Sequence, residues 1–459
     1  MHRFAASLAL AAALPWPAHA QVTRDEIQQL HQEIDALRSS YEARLRSLEQ
    51  RLQAAEAASA APPAASATPP PAAPPPPVPA PAVAGGAANA FNPAIALILS
   101  GLYTNTSRDP AGYAIAGFAL PAGSEAGPGT RGFSLAESEL SLAASIDPWL
   151  QGAANIALHP DDSVSVEEAY VQTTSLGHGL TFKAGRFFSG IGYLNSQHAH
   201  TWDFVDNPLA YQAMLGTQYG DDGVQLRWLA PTDLFLELGA ELGRGRSFPG
   251  GDDSRNGPGM TSLAVHAGDD VGDSQSWRAG LSVLGTKADD QALESLGADG
   301  STLNSRFTGR TRVWVADAVW KWAPGGNSTR TSLKLQGEFL QSRRTGTLTP
   351  EQGGGGAAYR AVQSGWYVQG VYQFLPAWRV GLRTERLDPG TPDYGANAGL
   401  YALADHRPDK HSLMVDFNPS EFSRVRLQLA RDRSRPGPAD NQLFLQYQMS
   451  LGAHGAHSY

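Results

Sequence analysis

The chain has 459 residues, a formal net charge of -9 and no cysteine, and 17% of its residues are charged while 42% are hydrophobic. Outside the N-terminus it contains no run of about 18 apolar residues, which excludes membrane spans made of helices. The acidic balance argues against a nucleic-acid-binding protein, so a protein built from many short strands remains.

Residues 1–20 predict a secretory signal peptide. Arg3 is followed by an apolar run over residues 4–14, and the small-residue site Ala18-His19-Ala20 precedes Gln21. The apolar run is too short for the alternative, which is a membrane anchor. We therefore expect cleavage before Gln21.

Residues 21–56 predict a coiled coil. Apolar residues recur at alternating steps of three and four from Ile27 to Ala55, with one stutter at Leu45. A helix this polar is not stable alone, which implies self-association. The alternative is a single amphipathic helix docked on the rim of the domain that follows. Residues 57–90 carry no charge and are rich in proline and alanine, so they predict an extended spacer.

Residues 91–459 repeat a period of two that is typical of β-strands. In the last predicted strand, apolar side chains alternate with glutamines and a serine, as expected between lipid and a wet interior, although a soluble sandwich strand could show the same pattern. The sequence predicts sixteen strands, at 94–105, 133–146, 149–159, 164–175, 179–187, 222–229, 233–243, 259–267, 276–287, 310–322, 331–343, 362–374, 377–387, 411–418, 421–432 and 441–451.

The connections between these strands alternate between short and long. Short turns occur at 146–149, 229–233, 375–377 and 418–420, whereas 106–132, 188–221, 244–258, 288–309, 344–361 and 388–410 are long. Short turns at one end and long loops at the other are typical of a bacterial outer-membrane barrel with periplasmic termini. The predicted fold class is therefore all-β, a transmembrane antiparallel β-barrel of about 16 strands over residues 91–459.

Aromatic residues lie at strand ends beside the short turns, where an interfacial girdle belongs. Packing of strand ends in a soluble barrel is the alternative. The signal peptide and the asymmetry of the connections favour the membrane. The residues concerned are Trp149, Trp228, Trp322, Phe374 and Trp378.

Charged residues predicted to face the barrel interior are candidates for a pore constriction. The segment 189–222 contains Asp203 and Asp206 but no lysine or arginine, and it predicts a loop folded into the pore. An acidic loop opposite a basic wall would create a transverse field that selects small solutes. Alternatively, the arginines of that wall pair with acidic residues on neighbouring strands. The basic wall is predicted to consist of Arg379, Arg383, Arg424 and Arg426.

Four histidines have spacings compatible with zinc binding. His198 and His200 lie in the predicted pore loop, and His454 and His457 lie in the C-terminal tail. Neither pair is a complete tetrahedral set, and loop polarity is the commoner reason for such residues. We expect no cofactor, with zinc as the alternative.

Residues 133–223 contain the segments FSLAESELSLAASIDPWL, VEEAYVQ, FKAGRFF and TWDFVD. This run resembles the phosphate-selective porin O/P family. The resemblance implies a sixteen-stranded trimeric barrel preceded by a coiled coil. The chain departs from that family in one respect, because a phosphate-selective pore needs cations at its narrowest point and the loop 189–222 supplies none.

The sequence thus predicts an outer-membrane porin that passes small hydrophilic solutes or ions, with membrane lipid and two further copies of the chain as partners. The alternative is an outer-membrane receptor or transporter for a metal such as zinc, of the energy-coupled TonB-dependent type. That alternative is weakened because strands use up the chain after the spacer and leave no plug domain. A barrel enzyme is a remote alternative, since the sequence has no G-x-S-x-G, no H-E-x-x-H and no P-loop.

Overall fold

The computed structural model describes residues 93–251, 256–402 and 405–452. These residues form one antiparallel sheet that closes on itself. The first strand, β1 (Ala94–Thr106), pairs with the last, β18 (Asp440–Gly452), over eleven residue pairs. A closed sheet leaves no edge with unpaired backbone groups, which is the condition for strands to cross lipid.

The remaining strands follow the chain order around the wall. Two of them, β3 and β4, both pair with β1 and make one wall strand, so the described wall has sixteen strands, as predicted. A two-residue strand, β2 (Leu120–Pro121), pairs with the end of β11. The bounds are β3 Gly132–Leu135, β4 Ser138–Ser145, β5 Leu150–Leu158, β6 Val164–Thr173, β7 Leu180–Phe188, β8 Gly220–Leu229, β9 Phe235–Gly243, β10 Met260–Val271, β11 Gln275–Leu296, β12 Thr302–Trp322, β13 Ser332–Pro350, β14 Ala357–Leu375, β15 Trp378–Asp388, β16 Asp409–Ser420 and β17 Ser423–Asp432.

The two ends of the barrel differ in their connections. At one end, the turn end, neighbouring strands are joined by 146–149, 174–179, 230–234, 272–274, 323–331, 376–377 and 421–422. At the other end, the loop end, the connections 107–131, 189–219, 244–259 and 389–408 are long. The alternation predicted from the sequence is therefore confirmed for these segments.

Two segments predicted as long loops, 288–309 and 344–361, are strands instead. The hairpins β11–β12 and β13–β14 continue past the loop end, and we call their extensions (residues 287–312 and 343–362) the collar. In the collar, Phe307, Leu348 and Tyr359 are buried on the inside, while Arg306 and Arg310 are exposed on the outside. A strand whose outer face meets water needs no apolar side chains there, so the alternation that marks a lipid-facing strand is reversed.

Over the rest of the wall, outward-pointing side chains are mostly apolar, and inward-pointing side chains are mostly polar except where the wall meets the connection 189–219. On β14, Trp366 and Val368 are exposed, whereas Gln363 and Gln369 are buried. Most of the predicted aromatic girdle is also exposed at the turn end: Trp149, Trp228, Phe374 and Trp378. This surface matches a bilayer, and the fold is that of an outer-membrane β-barrel.

The connection 189–219 fills much of the interior towards the loop end. Its apolar side chains, among them Ile191, Tyr211 and Met214, form the main core cluster with Val315 and Leu340 of the wall. Among the described residues, no helix has both the length and the apolar composition needed to cross a bilayer.

Several predictions concern residues that the structure does not describe. They are the signal peptide (1–20), the coiled coil (21–56), the spacer (57–90) and the tail histidines His454 and His457. These stay predictions.

Candidate functional site

The connection between β7 and β8, residues 189–219, enters the barrel as an inserted loop. It contains the short helix Leu209–Leu215, all of whose side chains are buried. The helix ends at Gly216, which has a φ of 66° in the left-handed region that glycine adopts without a steric cost. The predicted pore loop is therefore inside the barrel, and its contacts determine what it can do.

Three glutamates of the wall accept hydrogen bonds from the start and the middle of the inserted loop. Glu241 accepts from Ser189 Oγ at 2.5 Å and from the Gly190 amide at 2.8 Å. Glu385 accepts from the Leu209 amide at 2.6 Å. Buried amides without a partner would each cost about 1–3 kcal/mol, so these carboxylates fix the backbone of the loop.

Glu338 of β13 is the third of these glutamates and makes the most contacts. The amides of Tyr193 and Leu194 donate to it at 3.2 and 3.0 Å, and the Tyr211 hydroxyl donates at 2.7 Å. The Tyr367 hydroxyl, from the wall, donates at 2.5 Å. One wall carboxylate thus holds both the first turn and the helix of the inserted loop.

The two predicted aspartates of the loop form ion pairs with the wall. Asp203 contacts Lys334 and lies 3.5 Å from Arg379. Burial raises the pKa of Asp203, but the Lys334 and Arg379 cations outweigh it and hold that pKa below its usual value. The carboxylate is therefore ionised at neutral pH.

Asp206 is held in the same way by different cations. Its carboxylate lies 2.8 Å from Arg383 and 2.5 Å from Lys410, and the Gln428 side-chain amide donates to it at 2.9 Å. Burial opposes ionisation, but Lys410 and Arg383 overcome it and bring the pKa of Asp206 well below its usual range. Both wall cations are almost completely buried, and Asp206 lies between them, while Glu385 and Asp432 lie 2.7 Å from Arg383 and 3.6 Å from Lys410.

The other two predicted arginines lie deeper in the wall. Arg426 makes two bonds to Asp416, at 2.7 and 3.0 Å, and Arg424 donates to the His200 carbonyl at 2.9 Å. Both are buried. The sequence predicted opposed charges across an open gap, but the pairs are in contact, because a buried charge is stable only beside a partner. Whether these residues form the narrowest point of a pore stays a prediction.

The predicted histidines lie on the other side of the interior. His198 Nδ1 is 3.2 Å from carboxylate oxygens of Glu139 and Glu167, and His198 Nε2 is 3.0 Å from Glu168. His200 Nδ1 is 3.0 Å from Glu139. The histidines therefore meet three glutamates of the wall rather than the aspartates of their own loop.

A bulge explains how two consecutive glutamates reach the interior. The pairing of β5 with β6 shifts by one residue between Asn155–Glu168 and Ile156–Val166, which leaves Glu167 as the extra residue. A bulge re-aims side chains that strict alternation would send to opposite faces. Sequence reasoning missed Glu167 and Glu168 because it assumed unbroken alternation, and it missed Lys410 because the predicted strand began one residue later.

The turn-end half of the interior is open to water, and we call it the vestibule. Its inward-facing charged side chains with partial exposure include four cations, Lys183, Arg227, Arg278 and Lys334, and one carboxylate, Glu237. Asp317 and His266 also point inward there but are buried. Most of the partly exposed charges in this lining are therefore positive.

No protein-family model matches the chain. An uncharacterized protein of Aquifex aeolicus (strain VF5) is 33% identical over 350 residues, which cover 72% of this chain and 70% of that protein. The chain belongs to the family of this Aquifex protein.

Solved structures of outer-membrane proteins are similar to this chain. A loop-deletion mutant of OmpT from Vibrio cholerae has 10% identity and a TM-score of 0.47, covering 78% of this chain and 99% of that one. An anion-selective porin from Comamonas acidovorans has the same four values. The outer membrane channel DcaP of Acinetobacter baumannii has 12% identity and a TM-score of 0.45, covering 78% and 96%.

Proposed function

We propose that the protein is a porin of the bacterial outer membrane that passes small hydrophilic solutes and favours anions. The turn end would face the periplasm. The observation that carries the proposal is the vestibule, where three partly exposed cations outside the Asp203 pair, Lys183, Arg227 and Arg278, face one partly exposed carboxylate, Glu237, inside a barrel with an apolar outer surface. A low-dielectric wall around an aqueous chamber strengthens the field of such charges and raises the local concentration of anions.

The charges of the inserted loop contribute less to this field. Asp203 and Asp206 are each in contact with two wall cations, so their fields cancel within a few ångströms. The loop acts mainly as a fixed partition that narrows the barrel towards the loop end. Ion selectivity then comes from the charges that water can reach. Narrowing of the pore and ion selectivity therefore depend on different residues.

Phosphate is not proposed as the specific solute, in spite of the resemblance to the phosphate-selective porin O/P family. A phosphate site needs free cationic donors that converge on one point. Arg383 and Lys410 are committed to Asp206, and Arg426 is committed to Asp416. Small anions as a class fit the vestibule better than one tightly bound oxyanion.

Neutralising the vestibule cations should reverse this ion preference. We expect Arg278→Gln and Arg227→Gln each to move the reversal potential in asymmetric potassium chloride towards cations, with a larger shift in the double variant. Asp203→Asn should move it towards anions, because it removes the negative charge that contacts Lys334 and lies 3.5 Å from Arg379, while Arg379 keeps its bond to Asp416. Planar-bilayer recordings at low and high salt measure all three changes.

Arg343→Gln is the matched control for these variants. Arg343 is exposed on the outer face of the collar, so its loss should leave the reversal potential unchanged. The proposal fails if the vestibule variants and this control behave alike, or if the wild-type barrel forms no ion-conducting channel.

The docking of the inserted loop should depend on pH through its aspartates. A carboxyl with a depressed folded-state pKa stabilises the fold above its unfolded pKa of about 3.9, and that contribution is lost as the pH falls through the folded pKa. Single-channel conductance should therefore stay constant from neutral pH down to about 4 and rise only below it, as the loop leaves the interior. A rise centred near histidine's pKa of about 6.5 would contradict this assignment.

We further propose that the functional unit is a homotrimer joined through the barrel wall and the coiled coil 21–56. The support is the apolar repeat of that segment and the resemblance described above. Ile27, Ile34 and Leu48 need an apolar partner surface, which other copies of the same helix would provide.

A further inference from the structure

Four potential metal-ligand atoms from three elements meet inside the barrel. They are carboxylate oxygens of Glu139 (β4) and Glu167 (the β6 bulge), and Nδ1 of His198 and His200 in the inserted loop. Glu139 Oε2 lies 3.2 Å from His198 Nδ1 and 3.0 Å from His200 Nδ1, and Glu167 Oε2 lies 3.2 Å from His198 Nδ1. The ligand atoms of Glu139, Glu167 and His198 all lie within 4.8 Å of one another.

The contacts among Glu139, Glu167 and His198 fit three corners of a tetrahedral site, and His200, which lies 3.0 Å from Glu139, would supply the fourth after a movement of its side chain. Zinc binds imidazole nitrogen and carboxylate oxygen at about 2.0–2.2 Å, which places adjacent ligand atoms about 3.3–3.6 Å apart. The observed distances of 3.0 and 3.2 Å are slightly shorter, so a small outward movement of the side chains would accommodate the ion. Mg²⁺ and Ca²⁺ prefer six or more oxygen ligands, and two imidazoles disfavour them.

The second nitrogen of His198 provides an independent indication. Nε2 lies 3.0 Å from a carboxylate oxygen of Glu168 and 3.0 Å from the Asn155 side-chain amide. Metal-binding histidines usually hold a carboxylate on the nitrogen that does not bind the metal, which fixes the ring and increases its basicity. The bulge supplies both a candidate metal ligand and the supporting carboxylate, because Glu167 faces one nitrogen of His198 and Glu168 faces the other.

The charge of the cluster calls for a positive charge, which either a protonated imidazole or a bound metal ion would supply. Glu139 and Glu168 are buried, and Glu167 is mostly covered. With both imidazoles neutral, three buried carboxylates would carry three negative charges, and such charges are stable only when paired or bound to metal. The charge of Lys183 acts on Glu168, but its ammonium group lies over the Tyr170 ring, 4.1 Å from the ring centre.

We infer that Glu139, Glu167, His198 and His200 form a binding site for a divalent transition-metal cation, for which Zn²⁺ is the probe. The ion would join the inserted loop to β4 and β6, on the side of the barrel opposite the pairs of Asp203 and Asp206. The site adds a regulated anchor to a loop that is otherwise held by hydrogen bonds and fixed ion pairs. It goes beyond the proposed porin function, because metal binding and ion conduction are measured separately.

Isothermal titration of the full-length protein in detergent with zinc chloride tests the site. We expect one saturable site per chain, no comparable binding of Mg²⁺, and a loss of affinity of at least about 100-fold in the double variant His198→Ala, His200→Ala. With Co²⁺ as the probe, the wild type should show the visible absorption of tetrahedral coordination. His266→Ala is the matched control, because His266 also points inward and lies 3.6 Å from a glutamate.

Two further variants keep the test decisive. Glu167→Gln removes the charge of one ligand without changing the loop, so it should weaken Zn²⁺ binding even if the double histidine variant folds poorly. Migration of unheated samples on gels reports whether each variant is folded. The variant His454→Ala, His457→Ala separates the tail from this site and should retain binding. The inference is overturned if the wild type binds no Zn²⁺ saturably, if only the tail variant loses binding, or if Glu167→Gln and the double variant both bind like the wild type.

Discussion

Replacing Asp206 with alanine should release the inserted loop from the wall and increase single-channel conductance. The substitution leaves Arg383 and Lys410 buried without the carboxylate between them, and removing one member of a buried ion pair costs roughly 3–5 kcal/mol. Glu385 lies 2.7 Å from Arg383 and Asp432 lies 3.6 Å from Lys410, so we expect the lower end of that range.

Two measurements check this release. Chymotrypsin should cleave within residues 189–219 in the variant but not in the wild type, because the loop contains tyrosine, phenylalanine and tryptophan but no site for trypsin. Conductance in planar bilayers should rise and become noisier. Asp233→Ala, which changes an exposed aspartate of a turn-end connection, should alter neither. Unchanged cleavage and conductance in Asp206→Ala would mean that the pair does not hold the loop.

Replacing Gly192 with alanine should detach the first turn of the loop from Glu338. Gly192 has a φ of 65°, which costs a residue with a Cβ about 1–2 kcal/mol. The added Cβ would also overlap the Glu338 carboxylate and lie 2.8 Å from the Tyr211 hydroxyl. Both groups belong to the same hydrogen-bonded cluster, so neither can move without losing a bond, and overpacking of this kind costs about 1–3 kcal/mol more.

Gly190→Ala is the matched control two residues earlier. A Cβ at Gly190 would lie 3.5 Å from Glu241, which is an ordinary contact, and the Gly190 amide can still donate to that carboxylate. We expect Gly192→Ala to lower the denaturant concentration at which the fluorescence of Trp202 changes, and to increase cleavage of the loop by chymotrypsin. Gly190→Ala should resemble the wild type in both measurements. Equal effects of the two substitutions would rule out steric pressure on Glu338 as the cause.

The wall could be predicted from the sequence because lipid imposes a simple rule on it. Every strand that crosses the bilayer must alternate, so the strand at Met260–Val271 was found even though its signal was weak. The same parity correctly placed Arg383, Arg424 and Arg426 on the inner face. The collar was missed because its outer face meets water, and there Arg306 and Arg310 replace the apolar residues that define the pattern.

The site could be predicted only in part. Charge composition identified the loop and its aspartates, but not their partners, since ion pairing depends on the fold of the loop inside the barrel. Asp206 finds Lys410, which is 204 positions away in the chain, and Glu338 gathers amides from residues 144 and 145 positions earlier. Glu167 was missed for a different reason, because one extra residue in a strand cannot be recognised from alternation alone.

The collar also fixes the depth of the protein in its bilayer. On β12 the outward side chains from Trp322 to Trp314 are aromatic or alanine, and Arg312 and Arg310 follow at once. At about 3.3 Å per residue the apolar part covers about 26 Å of strand. A strand tilt of about 35–45° reduces its height to about 20 Å, somewhat less than the apolar belt of about 25 Å typical of such barrels. If the barrel moved deeper into the bilayer towards the turn end, its arginines would approach the bilayer midplane, where each costs about 2–4 kcal/mol. If it moved the other way, the tryptophans would leave the bilayer for water. Where bilayer and barrel differ in thickness, the lipid around the barrel must therefore stretch or thin to match it.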